Sequence, residues 1–226
     1  SDTLQKGLVG YWSFNGPAMA DITAFDRSGQ GNNGTLTNGP TRTLGRIGQA
    51  LDFNRYEGFE IGDAQVNLSS SFSLDSNTSL SLWMTASRFD LEGGSDQGPA
   101  LVGGDASVNK YVALSAFNPT TNFLLETDTD GDEVQLNHSG IPFAVDRWYH
   151  VVFNVDSSRC WHLYVNMVFQ NTSCAADAAL TINTIGSTRI ECCSEDKHWH
   201  GLIDEVRVYN RALTSDEIKR LYNMGR

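Results

Sequence analysis

Alternation of apolar and polar residues at period two runs through most of this chain. In the first segment Leu8, Gly10, Trp12 and Phe14 fall on one side of an extended backbone. Similar short runs recur at 50–53, 59–61, 79–85, 111–117, 122–126, 134–137, 148–155, 161–165, 168–170, 188–190 and 203–209, with turn residues between them. Many short strands at such spacing predict an all-β, two-sheet antiparallel β-sandwich. Asn166-Met167 reads as the turn of a hairpin that joins 161–165 to 168–172, and residues 156–159 as a second tight turn. The period changes only near the end. Thr214 with Glu217 three residues on forms a capping box, Ile218 and Leu221 or Tyr222 supply an apolar stripe, and Gly225 stops it. A short C-terminal helix is predicted there. At about three turns it must dock on the sandwich to be stable.

The last strand carries an anomaly. At strict period two, Leu202, Asp204, Val206 and Val208 share one face, with Glu205 and Arg207 on the other. A carboxylate on an apolar face is costly unless something neutralises it, and a metal ion is one answer. Upstream, the loop from Asp26 to Thr35 is rich in oxygen ligands and punctuated by glycine.

Length and charge narrow the function classes. The 226 residues are not divided by any Pro- or Ser-rich linker, and the 5 prolines are scattered, so a single domain over 1–226 is expected. A net charge of −11 argues against nucleic acid and against anionic membrane surfaces, which reward clustered Lys and Arg. No apolar run approaches the roughly 18 residues that a membrane span requires. The first residues lack the charged-then-apolar pattern of a signal peptide, which suits a mature or trimmed chain from a secreted or cell-surface protein.

The 4 cysteines, Cys160, Cys174, Cys192 and Cys193, lack zinc-ribbon spacing and suggest two disulfides. If Asn166-Met167 makes its turn, Cys160 and Cys174 lie nearly opposite each other. That pairing would leave a strained vicinal Cys192–Cys193 bond, so crossed pairings to 192 and 193 compete with it.

The segments 7–15, 26–35, 48–53 and 203–213, in that order and spacing, resemble laminin-G-like domains of the concanavalin A-like lectin/glucanase superfamily. The resemblance covers nearly the whole chain. It implies a jelly-roll sandwich, commonly with a structural calcium, and implies no particular ligand. It also implies that Asp26 and Asp204 are calcium ligands, with Asn32 and Asn33 contributing partly through backbone oxygens. Such an ion would clamp the N-terminal loop to the C-terminal strand. Residues 128–133 begin like an EF-hand loop, but Gly131 falls two residues early and Ser139 stands where the bidentate Glu belongs. An acidic hairpin tip is the expected reading.

Catalysis is not expected. The glucanases of the superfamily place carboxylates in an E-x-D-x-x-E arrangement. Here Glu126 and Asp128 begin it, but Gly131 occupies the position of the second Glu. No nucleophile elbow, P-loop or dinucleotide fingerprint occurs. Sugar binding calls for an exposed aromatic ring with polar groups around it. Trp12, Trp83 and Trp148 fall in strand patterns and read as core. Trp199 lies in a polar stretch, so a rim of Trp199, His198, His200 and Trp161 is the expected ligand surface. Five N-x-S/T sequons begin at Asn33, Asn67, Asn77, Asn137 and Asn171. The reading that follows is a non-catalytic carbohydrate-binding or adhesion module, with a glycan or polysaccharide partner. A glycoside hydrolase or lyase of the same fold, and a module that contacts surface or matrix proteins, are the alternatives.

Overall fold

The computed structural model describes residues 3–54, 64–87, 100–103, 111–113, 136, 144–174, 180–188 and 197–226. In chain order the strands are β1 (Leu8–Trp12), β2 (Met19–Ala20), β3 (Thr23–Ala24), β4 (Gly34–Thr37), β5 (Thr41–Leu44), β6 (Gln49–Asp52), β7 (Gln65–Leu74), β8 (Thr78–Ala86) and β9 (Ala100–Gly103). They continue with β10 (Tyr111–Ala113), β11 (Tyr149–Val155), β12 (Cys160–Val165), β13 (Val168–Cys174), β14 (Leu180–Ile185), β15 (Ser187–Thr188), β16 (Lys197–His198) and β17 (Gly201–Tyr209), followed by helix α1 (Ser215–Met224).

These strands form a sandwich of two antiparallel sheets. The first runs β13-β12-β11-β8-β17-β6-β5, with β1 also paired to β17; the second runs β10-β9-β14-β7-β4-β3-β2. Between them lies one apolar cluster that includes Trp12, Leu51, Phe53, Phe72, Leu82, Val151, Trp161, Trp199 and Ile203. Trp12 meets Phe72 edge-on at 5.6 Å between ring centres, so strands of opposite sheets touch through aromatic rings.

Strands β8 and β11 are buried along both faces. Two-sided burial requires a second layer, and α1 provides it. Leu213, Ile218 and Leu221 pack with Leu4, Leu8, Val152 and Tyr209 into a smaller cluster outside the first sheet. The helix begins as its sequence predicts. Thr214 caps the Glu217 amide, and the Glu217 side chain reaches back to the Thr214 amide at 2.9 Å. Arg211 then grips Glu217 at 2.7 and 2.8 Å and donates to the Thr3 and Lys6 carbonyls, tying both chain ends to the helix start. This guanidinium holds the Glu217 carboxyl down at about 2.

The 166–167 turn forms with both residues at positive φ, and Cys160 bonds to Cys174 across the hairpin it closes. The expected runs at 59–61, 122–126 and 134–135, and the residues 126–133 and Cys192–Cys193, lie outside the described residues.

The last strand departs from strict alternation. Asp204 pairs with Trp83 and Arg207 with Ser81, so three steps on β17 oppose two on β8. The extra residue is Glu205, at φ 56°. This bulge reverses the facing order. Ile203, Val206 and Val208 enter the main core, whereas the alternation had put Leu202 and Asp204 on the face of Val206 and Val208.

Candidate functional site

The loop after β3 is organised by one carboxylate. Asp26 Oδ1 accepts from the amides of Tyr11 and Ser28 at 2.9 and 2.8 Å, and Oδ2 from the Ser28 hydroxyl and the Asn32 amide at 2.7 and 2.9 Å. Asn33 Oδ1 accepts from the Asp26 amide at 2.9 Å, and Asn32 Oδ1 from the Ser70 hydroxyl at 2.6 Å. Asn32 also donates to the Val9 carbonyl, while the Trp12 indole donates to the Asn32 carbonyl. The loop is thereby pinned to β1 and β7, one strand of each sheet.

Asp204 belongs to a different loop. Its Oδ2 accepts from the Ile47 amide at 2.9 Å in the β5–β6 turn, and a Cβ on Gly45 would stand 2.6 Å from the same oxygen. The turn therefore needs glycine there to close over the carboxylate. Asp204 is 0% exposed and its Oδ1 has no hydrogen bond. Burial pushes its carboxyl up to about 7, against the backbone amides of Ile47, Arg46 and Glu205 that favour the charged form.

A calcium ion seeks six to eight oxygens, and a carboxylate offers about four lone-pair sites. Four donors already fill those of Asp26, and the side-chain oxygens of Asn32 and Asn33 are engaged. Asp204 hydrogen-bonds a separate turn, and among the described residues no group of three or more His, Cys, Asp or Glu gathers at one point. The four residues expected to share a calcium do not fit one as they are arranged. Hydrogen bonds tie the Asp26 loop to β1 and β7, and Asp204 to the β5–β6 turn.

The expected aromatic rim is also corrected. Trp161 and Trp199 are each 0% exposed in the main core. Trp161 alternates inward with Leu163 and Val165 on β12, and the Trp199 amide bonds the Gly186 carbonyl at 2.7 Å, which holds it inside. His200 is buried too. His198 lies on β16, paired with Ser187. His162, the neighbour of Trp161, points outward and sits 3.1 Å from Asp156 and 2.7 Å from the Thr172 hydroxyl.

Among the described residues, the first sheet's outer face holds one Ser–His contact. Ser81 and His150 lie 2.9 Å apart, but both are buried beside Trp83, which stacks on Tyr222 of α1 at 5.6 Å. Burial lowers the His150 imidazole to about 3, with the Arg207 charge adding to the effect. A Ser–His contact closed off from solvent is a packing element, not a nucleophile.

The second sheet presents the opposite kind of surface. On β4, Gly34 and Leu36 turn toward the core side and Thr35 and Thr37 away from it; on β7, Val66, Phe72 and Leu74 turn in and Gln65, Asn67 and Ser73 out. Pairing aligns Thr23 with Thr35, Thr35 with Asn67, and Asn67 with Thr184, a row of polar side chains across β3, β4, β7 and β14. Asn67 donates to the Thr37 hydroxyl at 2.7 Å and accepts from Gln65 at 3.0 Å. None of these side chains is charged, on a chain of net charge −11. Fixed hydroxyls and amides at the ~4.8 Å spacing of strands can bind hydroxyl-rich, uncharged ligands. Sequence reasoning missed this face. Its trace was Ser, Thr and Asn, in place of Lys and Glu, at the outward positions of β4 and β7.

A family model described as the concanavalin A-like lectin/glucanases superfamily (Laminin G type) matches residues 60–219. The chain belongs to this family. No curated protein matches it. Among solved structures it is similar to domain 4 of AbnA, a GH43 extracellular arabinanase from Geobacillus stearothermophilus in complex with arabinotriose. That likeness has 21% identity and a TM-score of 0.67, and it covers 95% of this chain and 98% of the other. The binding domain of Paraclostridial Mosquitocidal Protein 1 is similar at 17% identity and a TM-score of 0.68, covering 98% of this chain and 53% of that one. The botulinum neurotoxin type G receptor binding domain follows at 13% and 0.63, covering 97% and 51%. The chain thus spans about half the length of these two toxin domains. At such identities the likeness establishes the laminin-G-like sandwich. Among the described residues, no helix is long and apolar enough to cross a membrane.

Proposed function

We propose that this laminin-G-like chain is a non-catalytic carbohydrate-binding module of an extracellular protein, and that it binds a neutral polysaccharide on the outer face of the β4–β7–β14 sheet. The observation that carries the proposal is the uncharged row Thr23, Thr35, Asn67 and Thr184 on an otherwise acidic protein. An ionic partner would be met by charge, whereas a neutral glycan is met by hydroxyls and amides. The arabinotriose held by the AbnA domain supports the choice of ligand class. Calcium is not part of this proposal, because Asp26, Asn32 and Asn33 are engaged within their own loop and Asp204 bonds a separate turn.

Affinity electrophoresis against neutral polysaccharides (arabinan, xylan, β-glucan) and anionic ones (pectate, alginate) tests the reading. Retention on at least one neutral polymer, unchanged by salt and reduced at least tenfold by Thr35→Glu and by Asn67→Ala, is the expected result. Binding confined to anionic polymers, or neutral binding that both substitutions leave intact, would overturn it. Release of sugars from the retained polymer would move the chain to the hydrolase reading.

A further inference from the structure

A sugar presents hydroxyls around its rim and C–H groups on its ring faces. Hydroxyls and amides meet the rim, and an exposed aromatic ring meets a C–H face. Among the described residues two phenylalanines are exposed, Phe25 and Phe169. Phe169 lies on β13 in the other sheet, set edge-on against Tyr164 with ring centres 5.5 Å apart. Phe25 follows β3 directly, beside the polar row of the second sheet.

Alternation puts its ring on the row's side. Ala24 is 1% exposed and belongs to the core, so Thr23 and Phe25 on either side of it turn outward, and Phe25 is 39% exposed. The neighbouring strands stay in register past their last paired residues. The Ser69 amide donates to the Asn33 carbonyl at 2.9 Å, and the Asp26 amide to Asn33 Oδ1 at 2.9 Å. Phe25, Asn33 and Ser69 therefore make a second row, two residues or about 7 Å along the strands from Thr23, Thr35 and Asn67.

The backbone under this ring is fixed on both sides. The Phe25 amide donates to the Ala18 carbonyl at 2.8 Å, and the next residue is Asp26, whose carboxylate takes four donors. A ring on a fixed backbone loses little freedom when a ligand covers it. Resting on the glycan reading, we infer that Phe25 is the stacking platform of the site. Its ring covers the C–H face of one sugar residue, while Thr23, Thr35 and Asn67 take hydroxyls of the same chain. A phenyl ring has no hydrogen-bonding group, so its share of the binding comes from its aromatic face alone. The site accordingly selects sugars with an open C–H face.

Affinity electrophoresis of the whole chain tests this on the neutral polymer that wild type retains best, with Phe25→Ala, Phe25→Leu and Phe25→Tyr. Leu44→Ala is the control, an 84% exposed apolar residue on β5 of the other sheet. Phe25→Ala should weaken retention about tenfold. Phe25→Tyr, which keeps the ring, should bind within about twofold of wild type, and Phe25→Leu, which keeps only apolar bulk, should not. The control should match wild type. The Tyr and Leu variants both fill the position, so their comparison stands whatever Phe25→Ala does to stability. If Thr35→Glu and Asn67→Ala abolish retention while Phe25→Ala leaves it intact, the platform is overturned and the glycan reading stands. Leucine binding as well as phenylalanine, or an equal loss in Leu44→Ala, would also overturn the platform alone. A wild-type chain that no neutral polymer retains would overturn both.

Discussion

His150 makes the fold sensitive to acid in a way that one substitution isolates. The imidazole lies on β11, against Ser81 and Trp83 of β8, with Tyr222 of α1 over it and Arg207 of β17 nearby. Its folded-state pKa of about 3 lies below the ordinary 6.5. The fold thus prefers the neutral ring, and its stabilising contribution is whole above 6.5 and is lost as pH falls from there toward 3. Linkage puts the loss at ~2 kcal/mol between pH 7 and pH 5, and ~0.7 kcal/mol of that by pH 6. Asp204 acts in the opposite sense. Its carboxyl is raised from 3.8 to about 7, so its contribution is whole below 3.8 and is lost as pH rises through 7. The two slopes nearly cancel, so the wild-type curve alone is uninformative. His150→Gln keeps a partner for the Ser81 hydroxyl and cannot titrate, and both proteins carry Asp204. Urea unfolding at pH 7, 6 and 5 should show the wild type losing ~2 kcal/mol relative to the variant over that interval. Parallel curves, within the error of the extrapolation, would refute a neutral, desolvated His150.

Three further results follow from the structure. With Asp26 saturated by donors within its own loop, chelator should leave the melting temperature unmoved; a drop of several degrees would show a bound ion and refute that account. Gly201→Ala places a Cβ 1.9 Å from the Thr85 carbonyl oxygen at φ +150°, and should destabilise by about 3 kcal/mol or more in urea unfolding. A loss below about 1 kcal/mol would mean that β17 and β8 are not so close there. The double variant Cys160→Ser, Cys174→Ser opens a loop of sequence separation 14 and should lose about 3 kcal/mol; an unchanged denaturation midpoint would refute the stabilising role of that bond.

Much of the fold was legible because its signals are local. Period-two alternation marked β1, β8, β11, β12 and β17, the 166–167 turn set the hairpin register, and Thr214 with Glu217 marked the start of α1. Strands β4, β7 and β14 escaped notice. Their outward positions are Ser, Thr and Asn, residues that also build loops, so composition hid the inward series Val66, Phe72 and Leu74. The candidate site lies largely on those strands, which is why the sequence pointed to the wrong tryptophans. A polar neighbourhood in sequence suggested that Trp199 was exposed, but burial depends on what packs across the sandwich.

The sequence by itself determined the two-sheet sandwich and the capped C-terminal helix, which rest on residues a few positions apart, and the laminin-G-like family, which rests on four segments in order along the chain. Tertiary structure alone decided the rest. A single bulged residue, Glu205, reversed which side chains of β17 face the core, and a turn more than 150 residues away closed over Asp204. The row Thr23, Thr35, Asn67 and Thr184 exists only once four strands are in register. Alternation tells which residues of one strand share a side, but only the pairing of strands distant in sequence tells what each side meets.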